Sequence, residues 1–117
     1  MMFSGIDLVE ISRIEKAMEN PRFLEKYFGE NEILEFEKKN YKPESVAAAF
    51  AAKEAFSKVL KTGLSGFSLS EVELLHEKNG APYLSLSGKA QKLAKDLQFT
   101  VSITHTKDLA QAIVIGY

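Results

Sequence analysis

Apolar and polar residues alternate from Phe3 to Val9 among β-forming side chains, which predicts a short first strand ending near Asp7 to Glu10. Ser12 with Glu15 reads as a capping box for a helix carrying Ile14, Ala17 and Met18, which Asn20-Pro21 interrupts. Asn20 then caps a second short helix, with Pro21 in its first position and Phe23, Leu24 and Tyr27 as its apolar residues, closed by Gly29. A third helix is expected from an Asn31 cap through Lys39, with Ile33, Leu34 and Phe36 inward, before a loop from Asn40 to Pro43. Glu44 to Lys61 is the longest helical segment, rich in alanine, free of Pro and Gly, and closing on Lys61-Thr62-Gly63. Beyond a Gly and Ser loop through Ser70, the runs Val72 to His76 and Tyr83 to Leu86 flank Asn79-Gly80 and predict an antiparallel hairpin. An amphipathic helix from Gly88 to Leu97 presents Ala90, Leu93, Ala94 and Leu97, and Phe99 to Thr104 and Ala110 to Ile115 read as two more strands. The pattern is that of an α+β fold in one domain, residues 1–117, with a small antiparallel sheet packed on one long central helix and several short ones.

Composition narrows the class. A chain of 117 residues supports one core, and 45% apolar with 26% charged residues is ordinary for a globular domain. The absence of cysteine rules out disulfides and thiolate metal sites and fits a reducing compartment. Apolar runs such as Ala110 to Ile115 fall far short of the roughly 20 residues a membrane span needs. The N-terminus turns acidic at Asp7 instead of carrying a basic start and an apolar block, so the cytoplasm is the expected location. A formal net charge of −1 argues against a nucleic-acid partner and leaves charge recognition to local clusters.

Three segments offer chemistry. Gly5-Ile6-Asp7 puts a carboxylate at a strand end beside a glycine that admits close neighbours, although an isolated Asp there more often serves a turn or cap. In Phe50-Ala51-Ala52-Lys53-Glu54-Ala55-Phe56-Ser57-Lys58, Glu54 and Lys58 lie one helical turn apart on one face. That spacing suits a surface pair worth about 0.2–0.5 kcal/mol. It equally suits a carboxylate that holds a divalent cation beside a phosphate whose remaining charge the lysine offsets. Mg²⁺ commonly takes one or two carboxylates plus phosphate oxygens, so Asp7 and Glu54 brought together would suffice. Ser102-Ile103-Thr104-His105-Thr106-Lys107 runs from a strand into a loop with His, hydroxyls and Lys at its tip, and is otherwise a solvated hairpin end. With no Cys, and His76 on a separate strand, a histidine metal centre is not expected. Lys61 to Gly66 lacks the spacing of a phosphate-cradling loop and reads as a helix C-cap.

Together these three motifs, with Thr62-Gly63 after the long helix and the Asn-Gly hairpin before Pro82-Tyr83, make nearly the whole chain resemble the small bacterial holo-(acyl-carrier-protein) synthases. The resemblance implies a 4'-phosphopantetheinyl transferase that moves phosphopantetheine from coenzyme A to a serine of acyl carrier protein, releasing 3',5'-ADP, in support of fatty acid biosynthesis. It implies Mg²⁺ held by Asp7 and Glu54 and Lys58 at the coenzyme A pyrophosphate; Glu54, which would then lie near the reacting phosphorus, is the expected base, directly or through a metal-bound water. Coenzyme A contacts are expected from Lys53, Lys58, Lys61, Thr62, Gly63, His105 and Thr106, and carrier-protein docking from Arg13, Lys16, Met18, Arg22 and Phe23. Family members are homotrimers with active sites between subunits, which makes Phe67, Phe99, Ile113 and Ile115 candidate contacts. One departure is Ala49, where relatives usually carry Arg, and it motivates the alternative of a non-catalytic coenzyme A or nucleotide-binding module. Lys61 stands where relatives have glycine and offers a compensating positive charge.

Overall fold

The computed structural model describes residues 1–61 and 65–117. Strand β1 (Phe3–Glu10) runs directly into α1 (Ile11–Ala17), followed by α2 (Arg22–Tyr27), α3 (Glu30–Lys38) and the long α4 (Pro43–Leu60). A single 3₁₀ turn (Leu69–Glu71) leads to the strands β2 (Val72–His76) and β3 (Pro82–Leu86), then α5 (Gly88–Ala94), β4 (Phe99–His105) and β5 (Leu109–Gly116). β5 lies between β1 and β4 in a three-stranded antiparallel sheet, and β2 pairs with β3 in a separate hairpin. The α+β class expected from the sequence is the one observed.

Period-two alternation determines which sheet face meets α4. Gly5, Val9, Ala110, Ala112, Val114 and Val101 are buried on that face, while Ile6, Leu8 and Ile113 on the other are exposed. The helix contributes Val46, Ala47, Ala51, Ala52, Ala55 and Phe56, all with no exposed surface. Alanine is favourable in a helix and lets sheet and helix backbones approach closely. At Gly5 that approach is extreme: a Cβ there would sit 2.0 Å from the Ala55 carbonyl oxygen. α4 ends at Lys61, whose left-handed backbone (φ 60°) is a helix-terminating conformation more often adopted by glycine.

Several local expectations are corrected. Ser12 caps nothing, because β1 passes into α1 with Glu10 at the boundary and the Ile11 N–H donates to the Asp108 carbonyl at 2.9 Å. α3 starts at Glu30, so Asn31 is inside the helix and its amide donates to Glu73 at 3.1 Å. Glu32, not Asn31, serves that terminus, accepting the Gly29 N–H at 2.9 Å. Leu34 faces outward at 51% exposure while Phe36 is buried. α5 stops at Ala94 because Lys95 turns to φ 53°, which leaves Leu97 outside the helix. At α2 the N-cap position falls on Pro21 instead of Asn20, whose side chain, one residue further out, accepts the Arg22 N–H at 3.0 Å.

Candidate active site

β1 and α4 run antiparallel, so residues near the start of the strand meet the end of the helix. Phe3 lies under the Lys61 ammonium, 5.2 Å from its ring centroid, and Gly5 touches Ala55 and the Lys58 side chain. Two residues further, Asp7 points to the same flank as Glu54, and both line one recess with Arg13, Phe23 and Phe50. Lys58 lies beside Asp7: its ammonium donates to the Ile6 carbonyl at 2.7 Å and to Asp7 Oδ1 at 3.4 Å, with over half its side chain in solvent. The sequence-predicted group of Asp7, Glu54 and Lys58 is therefore brought together from two elements 47 positions apart.

The recess owes its chemistry to its walls. Phe50 packs against Phe23 at 6.2 Å, Tyr27 at 6.0 Å and Phe28 at 6.4 Å between ring centroids, giving an aromatic floor beside the carboxylates. Burial pushes the Glu54 carboxyl above the usual glutamate range; the Asp7 charge adds to this and Lys58 opposes it. Asp7 and Glu54, with the partly solvated Lys58 ammonium and Arg13 beside them, form a pair of carboxylates that could share a divalent cation. Among the described residues no three His, Asp or Glu side chains gather as a metal cage. The donor set thus fits a cation that draws its other ligands from substrate and water, the habit of Mg²⁺.

Other predicted site residues fall elsewhere. Lys53 is a correction: it has no exposed surface and its ammonium is enclosed by Glu32 and the Leu69 and Val72 carbonyls, so it does not reach coenzyme A. Its position in an otherwise apolar Ala-Ala-Lys run hinted at burial, but nothing singled out Glu32 among the glutamates of α3. His105 lines a second groove with Lys39, Ala48, Ala49 and His76, on the opposite flank of α4 from Glu54. His76 is held there by Glu35, which accepts both its N–H at 3.1 Å and its imidazole at 2.8 Å. Thr106 orders the β4–β5 turn, its hydroxyl accepting from Asp108 at 3.2 Å and Leu109 at 3.1 Å. Ala49 and Lys61 are twelve positions apart, about 18 Å along α4, so within one chain Lys61 does not replace a charge at the position of Ala49 itself. Thr62 and Gly63 lie outside the described residues. Arg13, Lys16 and Arg22 are exposed, whereas Met18 and Phe23 are partly buried against the core.

Comparison with known proteins decides the family. A family model described as the 4'-phosphopantetheinyl transferase superfamily matches residues 4–114. The chain belongs to this superfamily. A holo-[acyl-carrier-protein] synthase of Thermoanaerobacter sp. is 43% identical over 98% of this chain and 88% of the relative. One from Clostridium tetani is 43% identical over 96% of this chain and 94% of its own length. Among solved structures, the Helicobacter pylori holo-[acyl-carrier-protein] synthase in complex with coenzyme A superposes with a TM-score of 0.84 at 32% identity, covering 97% of this chain and 99% of that one. The Bacillus anthracis synthase in complex with CoA (3',5'-ADP) gives 0.83 at 34% identity, covering 99% and 97%. Within this superfamily, then, the chain groups with the holo-(acyl-carrier-protein) synthases.

Proposed function

We propose that this protein transfers 4'-phosphopantetheine from coenzyme A to a serine of acyl carrier protein, with Asp7, Glu54 and Lys58 as the reacting centre. The convergence of Asp7 and Glu54 in one recess carries the reading. In the reaction the serine oxygen attacks the β-phosphorus of coenzyme A, forming the new O–P bond. The bond from that phosphorus to the bridging oxygen breaks, and 3',5'-ADP leaves with the electron pair. Such transfers are governed by positioning and charge neutralisation. Asp7 and Glu54 would hold Mg²⁺, which supplies charge stabilisation at the pyrophosphate when bound. Lys58, largely in solvent beside Asp7, offsets charge on the departing phosphate. Glu54, placed beside the reacting phosphorus, accepts the serine proton directly or through a water.

The protein is a homotrimer in this reading. Ile6, Leu8 and Ile113 are at 52%, 57% and 37% exposure on the sheet face that α4 does not cover, and Ile6 pairs with Ile113 across the β1–β5 ladder. A contiguous apolar strip of this kind suits a subunit contact. Phe67 and Phe99 are only partly exposed and both pack on Phe56, at 5.6 and 5.1 Å between ring centroids, so they offer a neighbour less surface. Contact through the sheet would also let one subunit's His105 groove complete a neighbour's carboxylate recess, with His105, Thr106 and Lys61 as nucleotide contacts. Arg13, Lys16 and Arg22 receive an acidic carrier protein beside the recess. The location is cytoplasmic and the product feeds fatty acid biosynthesis.

Incubating the protein with coenzyme A, Mg²⁺ and apo carrier protein, then weighing the carrier, tests this. A mass gain of one phosphopantetheine, lost when Mg²⁺ is chelated, is expected. An unchanged carrier would instead indicate a non-catalytic coenzyme A-binding module.

A further inference from the structure

We propose that Lys53 is a positioning residue that sets the rotation of α4 and so aims Glu54 at Asp7, an inference that rests on the transferase reading above. The Lys53 ammonium crosses the core to three acceptors: Glu32 Oε1, the Leu69 carbonyl at 3.2 Å and the Val72 carbonyl. A lysine has three N–H donors, so each has a partner. Glu32 in turn accepts the N–H groups of Gly29 and Leu74, both at 2.9 Å. Both side chains have no exposed surface. The knot thus joins α4, α3, the 3₁₀ turn and β2 through directional bonds, and the Phe28 ring lies 5.0 Å from the ammonium.

What the knot adds is resistance to rotation. Away from Val46, and from Phe50 and Phe56, which pack on Phe23 and Phe99, the sheet-facing surface of α4 is built largely from alanines, Ala47, Ala48, Ala51, Ala52 and Ala55, against Gly5, Ala110 and Ala112. Small side chains make low ridges and shallow grooves, which hold a helix close but oppose its rolling weakly. Buried polar pairs act best where they fix register, because only one arrangement satisfies every bond. Lys53 and Glu54 are neighbours in sequence and about 100° apart around the helix. Any roll of α4 that breaks the Lys53 bonds therefore moves Glu54 relative to Asp7. Lys53 touches no ligand itself, being sealed from the recess.

Lys53→Met keeps an unbranched chain of similar length and removes the ammonium; Glu32→Gln keeps the shape but removes the charge and presents an amide donor to the Leu74 N–H. Each is compared with wild type below its melting midpoint, by carrier-mass kinetics and by calorimetric binding of Mn²⁺. The expected result is a folded variant whose kcat falls about 10- to 100-fold, with the KM for coenzyme A changed less than about 3-fold and weaker Mn²⁺ binding. A folded variant with kcat within about 2-fold of wild type and equal Mn²⁺ affinity overturns the inference. If Lys53→Met does not fold, Glu32→Gln decides by the same criteria, and failure of both to fold assigns the pair to stability alone and overturns it too. A wild-type protein that leaves the carrier unmodified fails the transferase reading instead, and the Mn²⁺ comparison still separates the two.

Discussion

Gly5→Ala adds a single methyl group at the closest approach between β1 and α4. Its Cβ would lie 2.0 Å from the Ala55 carbonyl oxygen and 3.1 Å from the Lys58 Cβ, whereas ordinary contact begins at 3.4 Å. The nearest atom is helix backbone, which cannot swing aside as a side-chain tip can. Relief requires strand and helix to part by about 1.4 Å at this point. Overpacking of this kind costs about 1–3 kcal/mol. In a 117-residue domain each kcal/mol lowers Tm by about 4 °C, so a loss of about 4–12 °C is expected. Asp7 is two residues along the same strand and retreats from Glu54 with it. Misplacement by about 1 Å can reduce turnover about 100-fold, so transfer should fall more steeply than stability. Thermal melting by circular dichroism and carrier-mass kinetics on the same preparation measure both. A Gly5→Ala protein that melts within about 2 °C of wild type and transfers at over half its rate would refute the close-approach account.

Three further outcomes follow from the same geometry. Burial and Asp7 raise the pKa of Glu54, so the folded protein binds that proton more tightly than the unfolded chain and loses stability as pH rises through the raised value. Glu54→Gln should therefore raise Tm at about pH 8 without divalent cation, lose the advantage near pH 4, and lower transfer by about 100-fold or more; a lower Tm at both pH values contradicts this sign. Arg13→Glu should raise the KM for the carrier far more than that for coenzyme A, and added salt should weaken carrier binding to the wild type; the reverse KM pattern rejects the docking surface. Ile113→Asp places a charge in the exposed apolar strip and should give monomers by analytical ultracentrifugation with transfer lost, whereas an unchanged sedimentation coefficient with full activity removes that strip from the assembly.

Much of the fold was legible because the periodicities were strong. The alternation of β1 and the unbroken alanine-rich run of α4 placed both elements within one or two residues. Helix starts were harder: Ser12-x-x-Glu15 has the form of a capping box, yet the strand enters α1 without a break and Asp108 satisfies the Ile11 N–H. Long-range partners of this kind leave no trace in local sequence. The same limit explains Lys53. A lysine beside a carboxylate in a phosphate-transfer motif reads as a ligand contact, and only the helix's rotation in the fold turns it to Glu32. Asp7 and Glu54 were legible as a pair through the chemistry of Mg²⁺, while the packing of Phe23 and Phe50 beside them in the same recess was not.

Crystals grown with Mn²⁺ and coenzyme A, with data collected at the manganese absorption edge, would locate the cation without ambiguity. One anomalous peak is expected within ligand distance of both the Asp7 and Glu54 carboxylates. A peak bound to neither side chain, or to coenzyme A alone with both carboxylates turned away, would contradict a shared cation site.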